Sequence, residues 1–285
     1  MTRRRAGFLT VLWLNPAGRA GCVLVGLVVL GGLLAAVGAT PYNAQLQNPL
    51  TTLKGPSPSH PFGTDQFGRD LLSLVLEGLW VSLKIAFLAV AIAGVVGTLA
   101  GVVAGYLGRW TSAIIMRVTD MLFAIPAILL ALAIVTALGP GALDSALAIG
   151  VGYIPIFVRV VRGPVLSLRA AGYVQAGRVL GFSSTRLLFR HILPNVAGTV
   201  AVQASLALAW SVLAEASLSF LGLGPPPPTA SLGEMVSQSS SLASQAWWTL
   251  AAPSVAIVVA VIGFNFLGDG LRDAFDPRSR TARAA

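Results

Sequence analysis

A chain of 285 residues that is 55% hydrophobic and only 10% charged has too little polar surface to hold a globule of that size in solution. Its mean hydropathy of +0.81 places it among membrane proteins before any motif is considered. A formal net charge of +9 would suit nucleic acid in a soluble protein, but here it belongs to Arg-loaded inner loops. Cys22, the single cysteine, excludes an internal disulfide and a thiolate metal cluster.

Residues 1–19 carry Arg3, Arg4 and Arg5 and read as a cytoplasmic N-terminal segment. Residues 20–40 are uncharged and rich in Val, Leu and Gly, longer than a signal-peptide core, and are expected to form the first transmembrane helix. Residues 41–79, broken by Pro41, Pro49, Pro56, Pro58 and Pro61, form an extracytoplasmic loop. Within it His60, Asp65 and Asp70 fit a capped turn better than a metal site, and the amphipathic piece 71–81 is expected at the membrane interface.

A five-helix core is expected over 80–268. Helix two covers the uncharged run 85–108, where Gly94, Gly97, Gly101 and Gly105 leave one face nearly bare for a close-packed seam. Helix three, 112–138, contains Pro126 and ends at the turn Gly139-Pro140-Gly141. Helix four covers 142–161, helix five 197–220 with Glu215 inside it, and helix six 247–267 after the proline run 225–228. Residues 269–285 are a cytoplasmic basic tail. Of the 19 Lys and Arg, all but Lys54, Arg69 and Lys84 then fall on the inner side, the positive-inside pattern of an even number of spans with both termini cytoplasmic.

The polar interruption 162–195 stands out between apolar runs. Residues 172–180 have helical character, Gly181 suits the left-handed position that closes a helix, Ser183 or Ser184 caps a second helix, and Pro194 is expected to stop it. On the first helix Tyr173, Ala176, Gly177 and Leu180 share a face that fits a groove; on the second, Arg186 and Arg190 make a basic stripe.

This loop resembles the "EAA" loop of permease subunits of binding-protein-dependent ABC importers, Glu-Ala-Ala, three residues, Gly, and later Leu-Pro. Here it reads Gln175-Ala176-Gly177, three residues, Gly181 and Leu193-Pro194, with Gln175 in place of the acid and Gly177 in place of the second alanine. HPFGTDQFGRDLLS at 60–73, FRHILPN at 189–195, LAEASLSFLGLG at 213–224 and FNFLGDGLRDAFDPR at 264–278 narrow the resemblance to the "C"-type subunits of the dipeptide, oligopeptide and nickel permease family.

The resemblance implies an all-α membrane protein with six transmembrane helices and the type I ABC importer permease architecture. It implies a translocation path shared with a homologous permease subunit, two cytoplasmic ATPase subunits or domains that bind ATP and Mg, and an extracytoplasmic substrate-binding protein. In it Tyr173, Gln175, Ala176, Gly177, Leu180 and Gly181 form the ATPase-coupling helix, and Leu193-Pro194 a hinge into helix five. Peptide is the expected cargo, with nickel or another small solute as the alternative. The chain carries no GxxxxGK[ST] phosphate loop of its own, and its only lysines are Lys54 and Lys84.

Three other classes fit the sequence less well. A helix-turn-helix regulator would bring DNA to within a few residues of the bilayer and lacks a support domain, so no nucleic-acid partner is expected. An ion-coupled transporter would use ionisable groups along its path. The candidates are Glu215, as a gate or amine contact or else a hydrogen-bonded structural carboxylate, and Asp120 with Arg117, which read as an interfacial pair. An enzyme would need a catalytic constellation, and His60 and His191, the only histidines, fall on opposite sides.

Overall fold

The computed structural model describes residues 8–275, which are helical apart from loops and one isolated bridge between Thr64 and Asp70. In chain order the helices are α1 (Phe8–Leu14), α2 (Pro16–Ala36), α3 (Leu71–Tyr106), α4 (Arg109–Phe123), α5 (Ala127–Leu138), α6 (Ala142–Arg169), α7 (Gly172–Val179), α8 (Ser184–Leu187), α9 (Leu193–Phe220), α10 (Leu232–Ser239) and α11 (Trp247–Phe275). Arg3, Arg4, Arg5 and the last part of the basic tail lie outside the described residues.

Five spans are long and apolar enough to cross a membrane alone: α2, α3, α6, α9 with the α8 segment leading into it, and α11. The packing of α3 on α6 requires a sixth crossing. Gly97 meets Ile154 and Phe157, Gly101 meets Val158 and Val161, and Gly105 meets Arg162 and Val165, so the two helices run parallel. Parallel neighbours need a return passage between them, and only α4 and α5 lie there. At 1.5 Å per residue these measure about 22 and 18 Å; shared equally about their bend of 84°, the pair climbs about 30 Å, one hydrocarbon thickness.

The remaining seams are antiparallel. Gly21 lies against the backbone of Phe266 and Leu267, and Gly263 against Leu24 and Val25. Ser205 Oγ donates to the Phe264 carbonyl at 2.8 Å, and Gly198 faces Phe275. The start of α2 and the end of α11 therefore lie on the side where α9 begins, the inner side. There α1 packs Val11 and Leu12 on Ala274, and Asn15 Nδ2 donates to Asp273 at 2.6 Å.

Several element bounds differ from those read in the sequence, each for a local reason. The first span is 16–36 rather than 20–40, because the Asn15 side chain accepts from the Ala17 amide at 2.9 Å and Pro16 takes the first helical position. The outer loop ends at Asp70 rather than 79: Asp70 Oδ2 caps the Ser73 amide at 2.9 Å. Residues 71–81 are therefore not an interfacial piece but the buried start of α3, with Leu71, Leu74, Val75 and Leu79 in the core and Gly78 beneath Leu232 of α10. Helix three is broken at residues 124–126 into α4 and α5. Helix four runs eight residues further than 161, to Arg169, carrying Pro155 and Pro164 inside it, and α11 continues to Phe275 in place of a tail from 269.

Candidate coupling site at the inner face

The interruption between α6 and α9 is two helices packed on the inner end of the bundle. Helix α7 ends as its glycine demands. Gly181 takes φ +79°, its amide donates to the Arg178 carbonyl at 3.0 Å, and the Phe182 amide donates to the Gly177 carbonyl at 2.9 Å. These two bonds satisfy carbonyls the helix end leaves open. Ser183 then starts α8, its hydroxyl accepting from the Arg186 amide at 3.3 Å.

The underside is apolar. Val174 and Leu187 join Val102 and Tyr106 of α3, Val161 and Val165 of α6, and Ile192 and Val196 in one buried cluster. This packing decides which arc of α7 faces out. Gly177 does not share the outer face with Tyr173, Ala176 and Leu180: it is buried against Leu187 and Phe182, and a methyl group there would stand 2.9 Å from the Leu187 side chain. The exposed arc is rotated toward Val179, which is 88% exposed, beside Leu180 at 74%, Ala176 and Tyr173. Gln175 is also exposed, donating to the Arg169 carbonyl at 2.9 Å and so tying α7 to the end of α6.

Side chains at the rim brace the loop. Arg178 lies 4.7 Å from the centre of the Tyr106 ring, with Nε 3.3 Å from its hydroxyl. Arg186 covers the Phe182 ring at 4.1 Å, and Phe182 and His191 stack with centroids 6.2 Å apart. Pro194 does not end the second helix. A π-helical turn at Leu188–Ile192 leads directly into α9, whose first residues are Leu193 and Pro194. Proline offers no amide, and the wider turn absorbs that loss while Asn195 Nδ2 donates to the His191 carbonyl at 2.6 Å. Sequence reasoning passed over Val179, Val174 and Tyr106; for Val174 and Val179 their apolar character within a turn of the quoted motif was the available signal, while Tyr106, 72 residues from Arg178, gave none.

The other singled-out residues lie elsewhere. Glu215 is fully buried near the outer end of α9, accepting from Ser82 Oγ at 2.5 Å, Ser219 Oγ at 2.7 Å and Ser231 Oγ at 3.3 Å. It joins α3, α9 and the start of α10, an arrangement that suits a hydrogen-bonded structural carboxylate. Asp120 pairs with Arg159 at 2.7 Å, not with Arg117, because the parallel α6 brings Arg159 onto α4. His60 Nδ1 lies 2.9 Å from Asp70 Oδ1, while Asp65 accepts from the Phe67 and Arg69 amides and from Arg69 Nε, which makes the outer loop a set of capped turns.

The family described as "binding-protein-dependent transport system inner membrane component" matches residues 97–281, the region from the glycine seam through α7 to beyond α11. The chain belongs to this family. As an inner membrane component it is a multi-pass membrane permease. It is 42% identical to the dipeptide transport system permease protein of Alkalihalophilus pseudofirmus over 94% of this chain and 88% of that one. It is 40% identical to the glutathione transport system permease protein of Pectobacterium atrosepticum, over 91% and 87%, and 43% identical to the probable D,D-dipeptide transport system permease protein of Escherichia coli K12, over 79% and 75%. A chain of the MetNI methionine ABC transporter, solved in inward-facing conformations, superposes with a TM-score of 0.60 at 20% identity, covering 71% of this permease and 97% of that chain. The fold is thus that of an ABC importer permease.

Proposed function

We propose that this permease pairs with a homologous subunit to form a translocation path for peptides, driven through α7 by two cytoplasmic ATPase subunits or domains and fed by an extracytoplasmic substrate-binding protein. The observation that carries the reading is the bare apolar arc of α7. Tyr173, Ala176, Val179 and Leu180 stand exposed on a helix whose other side is anchored in the bundle. An apolar arc held rigidly at the inner face suits a groove in a partner protein. ATP and Mg belong on those partners in this reading.

A second permease subunit is supported by the break between α4 and α5. Residues 124–126 are exposed and leave helical geometry part-way through a crossing. Backbone groups freed at membrane depth are tolerated facing protein or a water-filled path, not lipid. The peptide cargo rests on the names of the relatives, and nickel or another small solute is the competing cargo.

The test is co-purification from native membranes with the Ala176→Arg variant alongside wild type. A long charged side chain on the exposed arc releases the ATPase chains while the amount of permease in the membrane is unchanged. Retention of the ATPases by Ala176→Arg would overturn the docking assignment. Uptake of labelled dipeptide against labelled nickel by the wild-type complex separates the two cargoes.

A further inference from the structure

Besides the packing of Val174 in the buried apolar cluster, three links lead from α7 into the membrane. Two are covalent: residues 170–171 join it to the end of α6, and α8 with the π-helical turn joins it to α9. The third is not. Arg178 of α7 grips Tyr106, the last residue of α3, by its ring face and its hydroxyl, although the two residues are 72 apart in the chain.

We propose that Arg178 and Tyr106 form the drive link from the coupling helix to α3, Arg178 acting as a positioning residue. The proposal rests on the reading of α7 as the ATPase contact. Neither covalent route reaches α3. The α9 route passes through a π turn, a widened coil with a poorer bond pattern. The α6 route passes through residues 170–171, beyond the last helical turn.

Tyr106, in contrast, is 4% exposed and set in the apolar cluster beneath α7. It is rigidly continuous with 36 residues of helix. Those residues carry the glycine seam on α6, and at their outer part Ser82 is bonded to Glu215 and Ser73 to Asp70. A push on α7 through Arg178 thus reaches the outer face along one helix. The pair also has directional chemistry. A guanidinium over a ring face holds α7 at fixed height above α3, and the Nε–Oη bond holds its rotation.

The test has two arms on the full chain. In the first, spin labels at Val179→Cys and Leu107→Cys, in a Cys22→Ala background, read the distance between α7 and the end of α3 in the purified permease. Arg178→Ala and Tyr106→Leu broaden that distribution, while Arg178→Lys, which keeps a cation over the ring, stays near wild type. In the second, the assembled transporter is assayed for peptide moved per ATP hydrolysed. Arg178→Ala lowers that ratio by about fivefold, the effect of one cation–π contact on a two-state equilibrium, with assembly intact and Arg178→Lys restoring most of it.

An unbroadened distribution in both Arg178→Ala and Tyr106→Leu overturns the proposal. So does a broadened distribution with an unchanged transport ratio. Wild-type permease that assembles with no ATPase would refute the proposed function instead, and the label arm would still read the link.

Discussion

The glycine seam between α3 and α6 allows a prediction in which one substitution has opposite signs at different sites. A methyl group on Gly97 would stand 2.5 Å from Phe157 Cβ and 2.8 Å from the Ile154 carbonyl oxygen. Carbon atoms prefer about 3.5–4.0 Å, so the helices must part by about 1 Å along much of their contact. Neither obstacle is the far end of a flexible side chain, so the seam itself has to open. Overpacking of that kind costs about 1–3 kcal/mol, and alanine recovers no more than about 1 kcal/mol through its better helix propensity. Packing wins, and Gly97→Ala is destabilising by about 1–2 kcal/mol. At Gly94, on the same stripe, the nearest atoms would be 3.7 and 3.8 Å away on the Phe157 ring, an ordinary contact. At Gly26 on α2 nothing lies within 4 Å, so only the propensity gain remains. The assay is thermal unfolding of the purified variants in one detergent. The expected order from least to most stable is Gly97→Ala, wild type, Gly26→Ala, with Gly94→Ala beside Gly26→Ala above wild type. Gly97→Ala melting at or above Gly26→Ala would refute the reading of Gly97 as a backbone contact.

Two further outcomes follow from the loop and the outer face. Gly181→Val places a β-branched residue at φ +79°, costing about 1–2 kcal/mol; it frays the end of α7 and uncouples ATP hydrolysis from transport while membrane insertion is unchanged, and wild-type transport by this variant would contradict it. Glu215→Ala leaves the hydroxyls of Ser82, Ser219 and Ser231 without their shared acceptor, at about 1–3 kcal/mol each less what rebonding to nearby helix carbonyls recovers. Limited proteolysis is then expected to cut residues 221–246 sooner than in wild type, with Glu215→Gln in between, and equal protection of all three would remove the pinning role.

Most of the membrane architecture was legible as hydropathy because lipid offers backbone groups no hydrogen bonds. A long uncharged run such as 85–108 has few other solutions than a helix. The turn chemistry was legible for a similarly local reason: only glycine takes the φ found at Gly181 without strain, and Asp70 and Ser183 are cap residues in any context. What a helix touches is a different matter, since 3.6-residue periodicity names an arc without saying which neighbour arrives there. Gly177 and Tyr173 fall on one predicted face, yet Leu187 and Phe182 fold back onto Gly177 and turn the exposed arc toward Val179. Arg117 is the nearer basic residue to Asp120 in sequence, but parallel packing of α6 delivers Arg159. Pro126 marked an interruption without its angle, and nothing around Glu215 in sequence announced Ser82, 133 residues away. The sequence by itself determined that this chain lives in a membrane, where its helices lie and how its inner loop turns, because those depend on solvent and local backbone sterics. Only the tertiary structure decided which helices run parallel, which face of α7 is bare and which partners its buried polar groups find, because these depend on contacts between residues far apart in the chain.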